Sequence, residues 1–136
     1  MKKLYLDVDG VLLTTKNKRM ADNVASFVSY IVENFDCYWL TTHCRDGNTR
    51  NVLNVLSHYL PNNIILQLQA VKPTVWDSMK TEVIDFDSDF YWVDDYIFNT
   101  EKDILCNHNC YDRLFLVNLN NQGELLNIIE KLKKQD

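Results

Sequence analysis

Apolar positions along the chain switch repeatedly between the spacing of a strand and that of a helix. Leu4 to Val8 is a short, continuously apolar strand candidate. From Ala21 to Phe35, the residues Val24, Ala25, Phe27, Val28, Ile31, Val32 and Phe35 recur at three- and four-residue steps, which is one face of a helix. Cys37 to Leu40 is strand-like again, Asn48 to Tyr59 reads as a second helix stopped by Pro61, and Ile64 to Val71 alternates partly and predicts a third strand. Thr74 to Ile84 predicts a short helix, Phe90 to Val93 a fourth strand, Asn99 to Cys106 a weak helix and Leu114 to Leu119 a fifth strand. Gln122 to Lys134 closes the chain as a helix with Leu125, Leu126, Ile128, Ile129 and Leu132 on one face. Its Lys131, Lys133 and Lys134 suit the negative end of the helix dipole.

Strands alternating with helices predict a parallel sheet covered on both faces. Right-handed crossovers then make a three-layer, doubly wound, Rossmann-like α/β domain with a five-stranded, mainly parallel sheet. No repeat, low-complexity stretch or linker interrupts it, so residues 1–136 read as a single domain. A chain of that length buries roughly two-thirds of its unfolded surface. Ligands of such domains bind beyond the carboxyl ends of the strands, where the strand order reverses.

The polar residues gain meaning from that rule. Asp7 and Asp9 follow the first strand, Thr41 and Thr42 the second, and Asp94 and Asp95 the one before the last. All project toward one edge of the sheet, and Lys80, on the helix leading into Phe90 to Val93, can reach the same edge. Two carboxylates at i and i+2 repel each other and lose hydration unless a cation or shared proton compensates. That is the arrangement an oxygen-preferring cation such as Mg²⁺ requires. Gly10 lets the chain turn sharply and leaves space for a ligand. A threonine hydroxyl and a lysine ammonium beside such an ion recognise a phosphoryl group and neutralise charge developing on its oxygens. One carboxylate can attack phosphorus, and a second can protonate the leaving oxygen and then activate water.

These residues resemble the motifs of the haloacid dehalogenase (HAD) superfamily of phosphohydrolases. The first motif reads Tyr5-Leu6-Asp7-Val8-Asp9-Gly10-Val11-Leu12, and the second Tyr38-Trp39-Leu40-Thr41-Thr42. The third is a helix-borne lysine in Met79-Lys80-Thr81, and the fourth is Phe90-Tyr91-Trp92-Val93-Asp94-Asp95. The resemblance implies a Mg²⁺-dependent phosphatase working through an aspartyl-phosphate. Asp7 would be nucleophile and metal ligand, and Asp9 the general acid/base, counted with the metal group. Thr41 would hold phosphoryl oxygens, Lys80 would stabilise their charge, and Asp95, helped by Asp94, would anchor the ion. Lys72 is the alternative lysine and Thr42 the alternative hydroxyl. The stretch between the first two motifs holds mostly one helix, so the resemblance is to small members without a cap domain. Such an open site accepts a phosphorylated small molecule or the exposed phosphate of a macromolecule. The tryptophan-bearing second and fourth motifs are similar to those of members that process nucleotides or polynucleotide ends. The alternative is a non-catalytic phosphate-binding or interaction domain that retains the fold.

Composition narrows the field. A net charge of −5 argues against a general nucleic-acid-binding surface. After Met1-Lys2-Lys3 the apolar stretch is too short for a secretory signal, and no stretch is long enough to span a membrane, so a cytoplasmic location is expected. Cys37, Cys44, Cys106 and Cys110 are then expected as free thiols, and Cys106 to Cys110 lacks the spacing of a zinc knuckle. An EF-hand is excluded because Gly10 follows Asp7 too closely and the twelfth loop position is Lys18. A phospho-receiver domain would carry its acidic pair on the first strand and a lone aspartate later, the reverse of the late pair here. Asp85, Asp87 and Asp89 read as a solvated loop, Trp39 and Trp92 as core, and Trp76 as core in preference to a surface stacking platform. His43 and Arg45 stand open between substrate contact and an ordinary loop role.

Overall fold

Lys3–Leu6 (β1), Asp36–Trp39 (β2), Phe90–Asp94 (β3) and Leu114–Leu116 (β4) form one sheet in the order β2-β1-β3-β4, every neighbouring pair parallel. The computed structural model describes residues 1–135. Five α-helices accompany the sheet among these residues: Val24–Asn34 (α1), Thr49–Ser57 (α2), Asn62–Leu68 (α3), Asn99–Asn107 (α4) and Glu124–Lys133 (α5). None is long and apolar enough to cross a membrane.

The strands are apolar on both faces because both are covered. Leu4, Leu6, Cys37, Trp39, Tyr91, Val93 and Phe115 join the larger core under α1, α2, α3 and α5. The alternate residues Tyr5, Phe90 and Trp92 pack on the other face against Leu105 of α4 and Ile84. Phe27, Val28 and Ile31 of α1 and Leu125, Ile128 and Leu132 of α5 are almost fully buried. Each such side chain contributes roughly 1.5–3 kcal/mol by leaving water.

The sheet has four strands, not the expected five. Ile64 to Val71 is not a strand: Asn62–Leu68 is helical, and Ile64 and Leu68, four apart, are its buried residues. Pro61 supplies the extended residue before the helix, with its ring-fixed φ of −66°. The Leu-Gln alternation from Leu66 to Gln69 imitates strand spacing, but Leu66 is exposed. What remains of a fifth strand is one bridge outside β2, where Lys72 N–H donates to Cys37 C=O and Trp39 N–H to Lys72 C=O.

Thr74 to Ile84 is likewise not a helix, apart from a short 3-10 turn at Lys80–Val83. The Glu82 carboxylate accepts the backbone N–H groups of Asp77, Ser78 and Met79 at 2.8–3.0 Å. Those donors are therefore committed to a side chain rather than to helical carbonyls. At the other end of β1, Lys3 pairs with Asp85 at 3.2 Å on the surface.

β1 lies between β2 and β3, so successive strands are added on opposite sides of it. The register places Leu6 level with Trp39 and Val93. Asp7 consequently emerges beside the end of β3, its N–H donating to Val93 C=O at 3.1 Å. That is the crevice where ligands of open α/β sheets bind.

Candidate active site

Asp7, Asp94 and Asp95 each bring a carboxylate oxygen to within 4.8 Å of the others. Asp7 and Asp94 are buried, at 6% and 1% exposure, and Asp95 is partly exposed. Lys80 enters between the first two, with Nζ 2.7 Å from Asp94 Oδ2 and 3.4 Å from Asp7 Oδ1. Lys72 lies elsewhere, 2.9 Å from Asp36 at the start of β2.

Asp94 organises the site. Its Oδ1 accepts the N–H groups of Asp95 and Tyr96 at 2.8 and 3.2 Å, which folds the chain just after β3. Its Oδ2 accepts from Trp92 Nε1 at 3.2 Å as well as from Lys80. Glu101, 2% exposed, is a positioning residue that the sequence did not single out. One of its oxygens accepts Lys80 N–H at 3.0 Å and the other Phe98 N–H at 3.1 Å, tying the lysine's backbone to the start of α4. A glutamate three residues into a helix signals such a cap, but Phe98 in place of the usual Ser, Thr or Asp hides it.

Burial first, then the negative charge of Asp94, pushes the Asp7 carboxyl well above its usual range, with Lys80 opposing. Partial burial and Asp94 push Asp95 up to about 6. Burial alone would depress Lys80, but the charges of Asp7 and Asp94 outweigh it and hold it above its ordinary value. One ammonium cannot neutralise two buried carboxylates. Three carboxylates against one ammonium leave excess negative charge, and all the free donors are oxygens. That set fits a hard divalent cation.

Two expectations change. Asp9 does not join the acidic group: its Oδ2 lies 2.8 Å from His43 Nε2, and Lys18 Nζ is 3.2 Å from Oδ1. Past the strand end the chain turns at once, with Val8 C=O accepting three successive N–H groups, so the i, i+2 alignment of an extended chain does not persist. Partial burial raises the Asp9 carboxyl, but His43 and Lys18 more than offset it and hold Asp9 below the ordinary carboxylate range. Thr41 is fully buried, and its hydroxyl accepts His43 N–H at 3.3 Å as the cap of the Thr42–Cys44 turn. The threonine lining the cavity over the acidic group is Thr42.

Gly10 provides the expected turn, at φ +80°, but the space above it is not left to a ligand. The Asp95 carboxylate occupies it, and a Cβ there would overlap that side chain. Gly10→Ala is therefore expected to weaken divalent-cation binding at least about tenfold, from ~1–2 kcal/mol of left-handed strain plus displacement of Asp95. Unchanged affinity by calorimetric titration would show that Asp95 is not a ligand.

Because the ligands must shed their protons, Mn²⁺ affinity is expected to rise with pH through about 6, where Asp95 titrates, and to go on rising above it while Asp7 still holds its proton. A pH-independent affinity across that range would place the ion elsewhere.

The site cavity has a volume of about 310 Å³. Fold and site together define a Rossmann-like α/β domain with an acidic cluster, compatible with a metal ion, beside the carboxyl end of its parallel sheet. Comparisons with protein-family models, curated proteins and solved structures found no match for this chain.

Proposed function

We propose that the chain is a Mg²⁺-dependent phosphomonoesterase of the haloacid dehalogenase type, open and without a cap, that acts through an aspartyl-phosphate on Asp7. The observation that carries the reading is the meeting of Asp7, Asp94 and Asp95 around one partly buried lysine. A purely structural role would leave these carboxylates short of positive charge. Asp7, Asp94 and Asp95 would hold Mg²⁺, which supplies charge neutralisation to the phosphoryl group.

In the first step an Asp7 oxygen attacks phosphorus and the ester P–O bond breaks. Asp9 gives its proton to the leaving oxygen. In the second step water attacks the same phosphorus, Asp9 takes a proton from it, and inorganic phosphate leaves with Asp7 restored. Lys80 offsets the negative charge on the phosphoryl oxygens in both. Thr42 at the cavity wall is the nearer hydroxyl for those oxygens, and Thr41 supports the turn that carries it. Asp9 as found is held ionised, the form needed for the second step. The proton it takes from water there is the one it gives to the leaving oxygen of the next substrate.

The test is hydrolysis of para-nitrophenyl phosphate with and without Mg²⁺. Activity should require the ion, and Asp9→Asn should slow turnover by ~10²–10⁴-fold while leaving metal affinity close to normal. Background rates in the unaltered protein across several metals and substrates would instead favour a binding module. Loss of metal affinity in the Asp9 variant would return Asp9 to the ligand set.

A further inference from the structure

The cavity over the acidic group is not polar throughout. Its wall includes Trp76, Tyr96, Phe98 and Arg45 along with Asp7 and Lys80. Tyr96 and Phe98 are 65% and 53% exposed, with ring centroids 5.8 Å apart edge to face. Large aromatic side chains left in water beside a reactive centre are the usual mark of a ligand surface. Their position is tied to the chemistry, since Tyr96 follows Asp94-Asp95 directly with Phe98 two residues on, and Tyr96 N–H is held by Asp94 Oδ1.

Arg45 and Trp76 come from two loops packed together. Trp76 N–H donates to Arg45 C=O at 2.9 Å, and Asp46 bridges Val75, which anchors the tryptophan beside the turn after β2. The Arg45 guanidinium lies 4.7 Å from the Trp76 ring centroid and donates to Asp77 C=O. The Trp76 indole N–H is buried without a partner. One planar cation and exposed rings therefore line a space large enough for a small organic group and continuous with the phosphate position.

We propose that this wall is a subsite for a flat ring carried by the leaving group, and that the substrate class is a nucleoside monophosphate. The inference rests on the phosphomonoesterase reading of the acidic group. The phosphate meets Asp7 and Lys80, the sugar spans the gap, and the base stacks on the aromatic and guanidinium surface. Stacking is tolerant of which base is present, so purine and pyrimidine nucleotides are both accepted.

Adenosine 5′-monophosphate and ribose 5-phosphate share one leaving alcohol and differ in the base, so their comparison isolates the subsite. With Mg²⁺, kcat/KM should favour the nucleotide by about tenfold or more, the effect of one base–aromatic stack. Tyr96→Ala and Phe98→Ala, both at exposed positions, should narrow that preference, as should Trp76→Leu. Binding of the two compounds to the Asp7→Asn protein, followed by tryptophan fluorescence, should show the same preference without turnover. Turnover of both compounds with equal efficiency and equal affinity overturns the subsite and leaves the phosphatase reading standing. No turnover of either, with nucleotide-selective binding lost in the aromatic variants, overturns the phosphatase reading and supports the subsite. A preference that survives all three aromatic substitutions means that the base is held elsewhere and overturns the proposal.

Discussion

Asp7→Asn is expected to remove phosphatase activity, by at least ~10⁴-fold in kcat, and at the same time to make the metal-free protein more stable. The two effects share one cause. Asp7 is 6% exposed and lies against Asp94, and its carboxyl is pushed well above the ordinary value of 3.8. The folded state therefore holds that proton more tightly than the unfolded chain does. The stabilisation this provides is fully present below about pH 3.8 and is lost as pH rises through the folded-state pKa. Asparagine has the same shape and no charge to bury. At about pH 8 without metal it should add roughly 1–3 kcal/mol, a trade of stability for function seen at many active sites. Thermal unfolding in a chelator should show the variant's advantage growing with pH and shrinking when Mg²⁺ is added. A variant less stable than the unaltered protein at every pH would mean that Asp7 is a structural ion-pair partner, not a strained ligand.

Lys80→Met is expected to act in the opposite direction. Lys80 Nζ is the ammonium between Asp7 and Asp94, at 3.4 and 2.7 Å, with its side chain 14% exposed and both carboxylates buried. Methionine keeps most of the side-chain volume but removes the charge. Breaking a buried pair on one side typically costs about 3–5 kcal/mol, because the other charge is left without a partner. The loss should be greater at about pH 8 than at about pH 5, since the carboxylates can take up protons at the lower pH. A divalent cation should restore part of it. Denaturant unfolding at both pH values, with and without Mg²⁺, measures all of this. A loss that does not change with pH would assign Lys80 a packing role. Activity should fall about 10²–10³-fold even where the variant is fully folded, because charge on the transferring phosphoryl group goes uncompensated.

Much of the fold is legible in the sequence. Leu4–Leu6 and Phe90–Val93 are short apolar runs ending in aspartates, and buried parallel strands have that form. The face made by Val24, Phe27, Val28 and Ile31 could only be helical, and those residues are the buried ones. The misreadings are equally instructive. Leu66 to Gln69 alternates like a strand inside a helix because four residues fit either period. Thr74 to Ile84 reads as a short helix, but the amides of Asp77, Ser78 and Met79 are taken by Glu82, a contact that no spacing rule anticipates.

At the site, the sequence determined which residues reach the carboxyl edge, since a strand's end and direction settle where the next residue emerges. It thereby brought Asp7, Asp94, Asp95 and Lys80 within reach of one another. Only the tertiary structure decided what each side chain does there. Asp95 rather than a ligand fills the space over Gly10, Asp9 turns to His43 and Lys18, and Thr42 rather than Thr41 faces the cavity. Glu101 and Trp76 acquire their positions only through loops packed from distant parts of the chain. The physical reason is one of range: backbone periodicity is a local property, whereas side-chain direction after a turn depends on neighbours that only folding brings together.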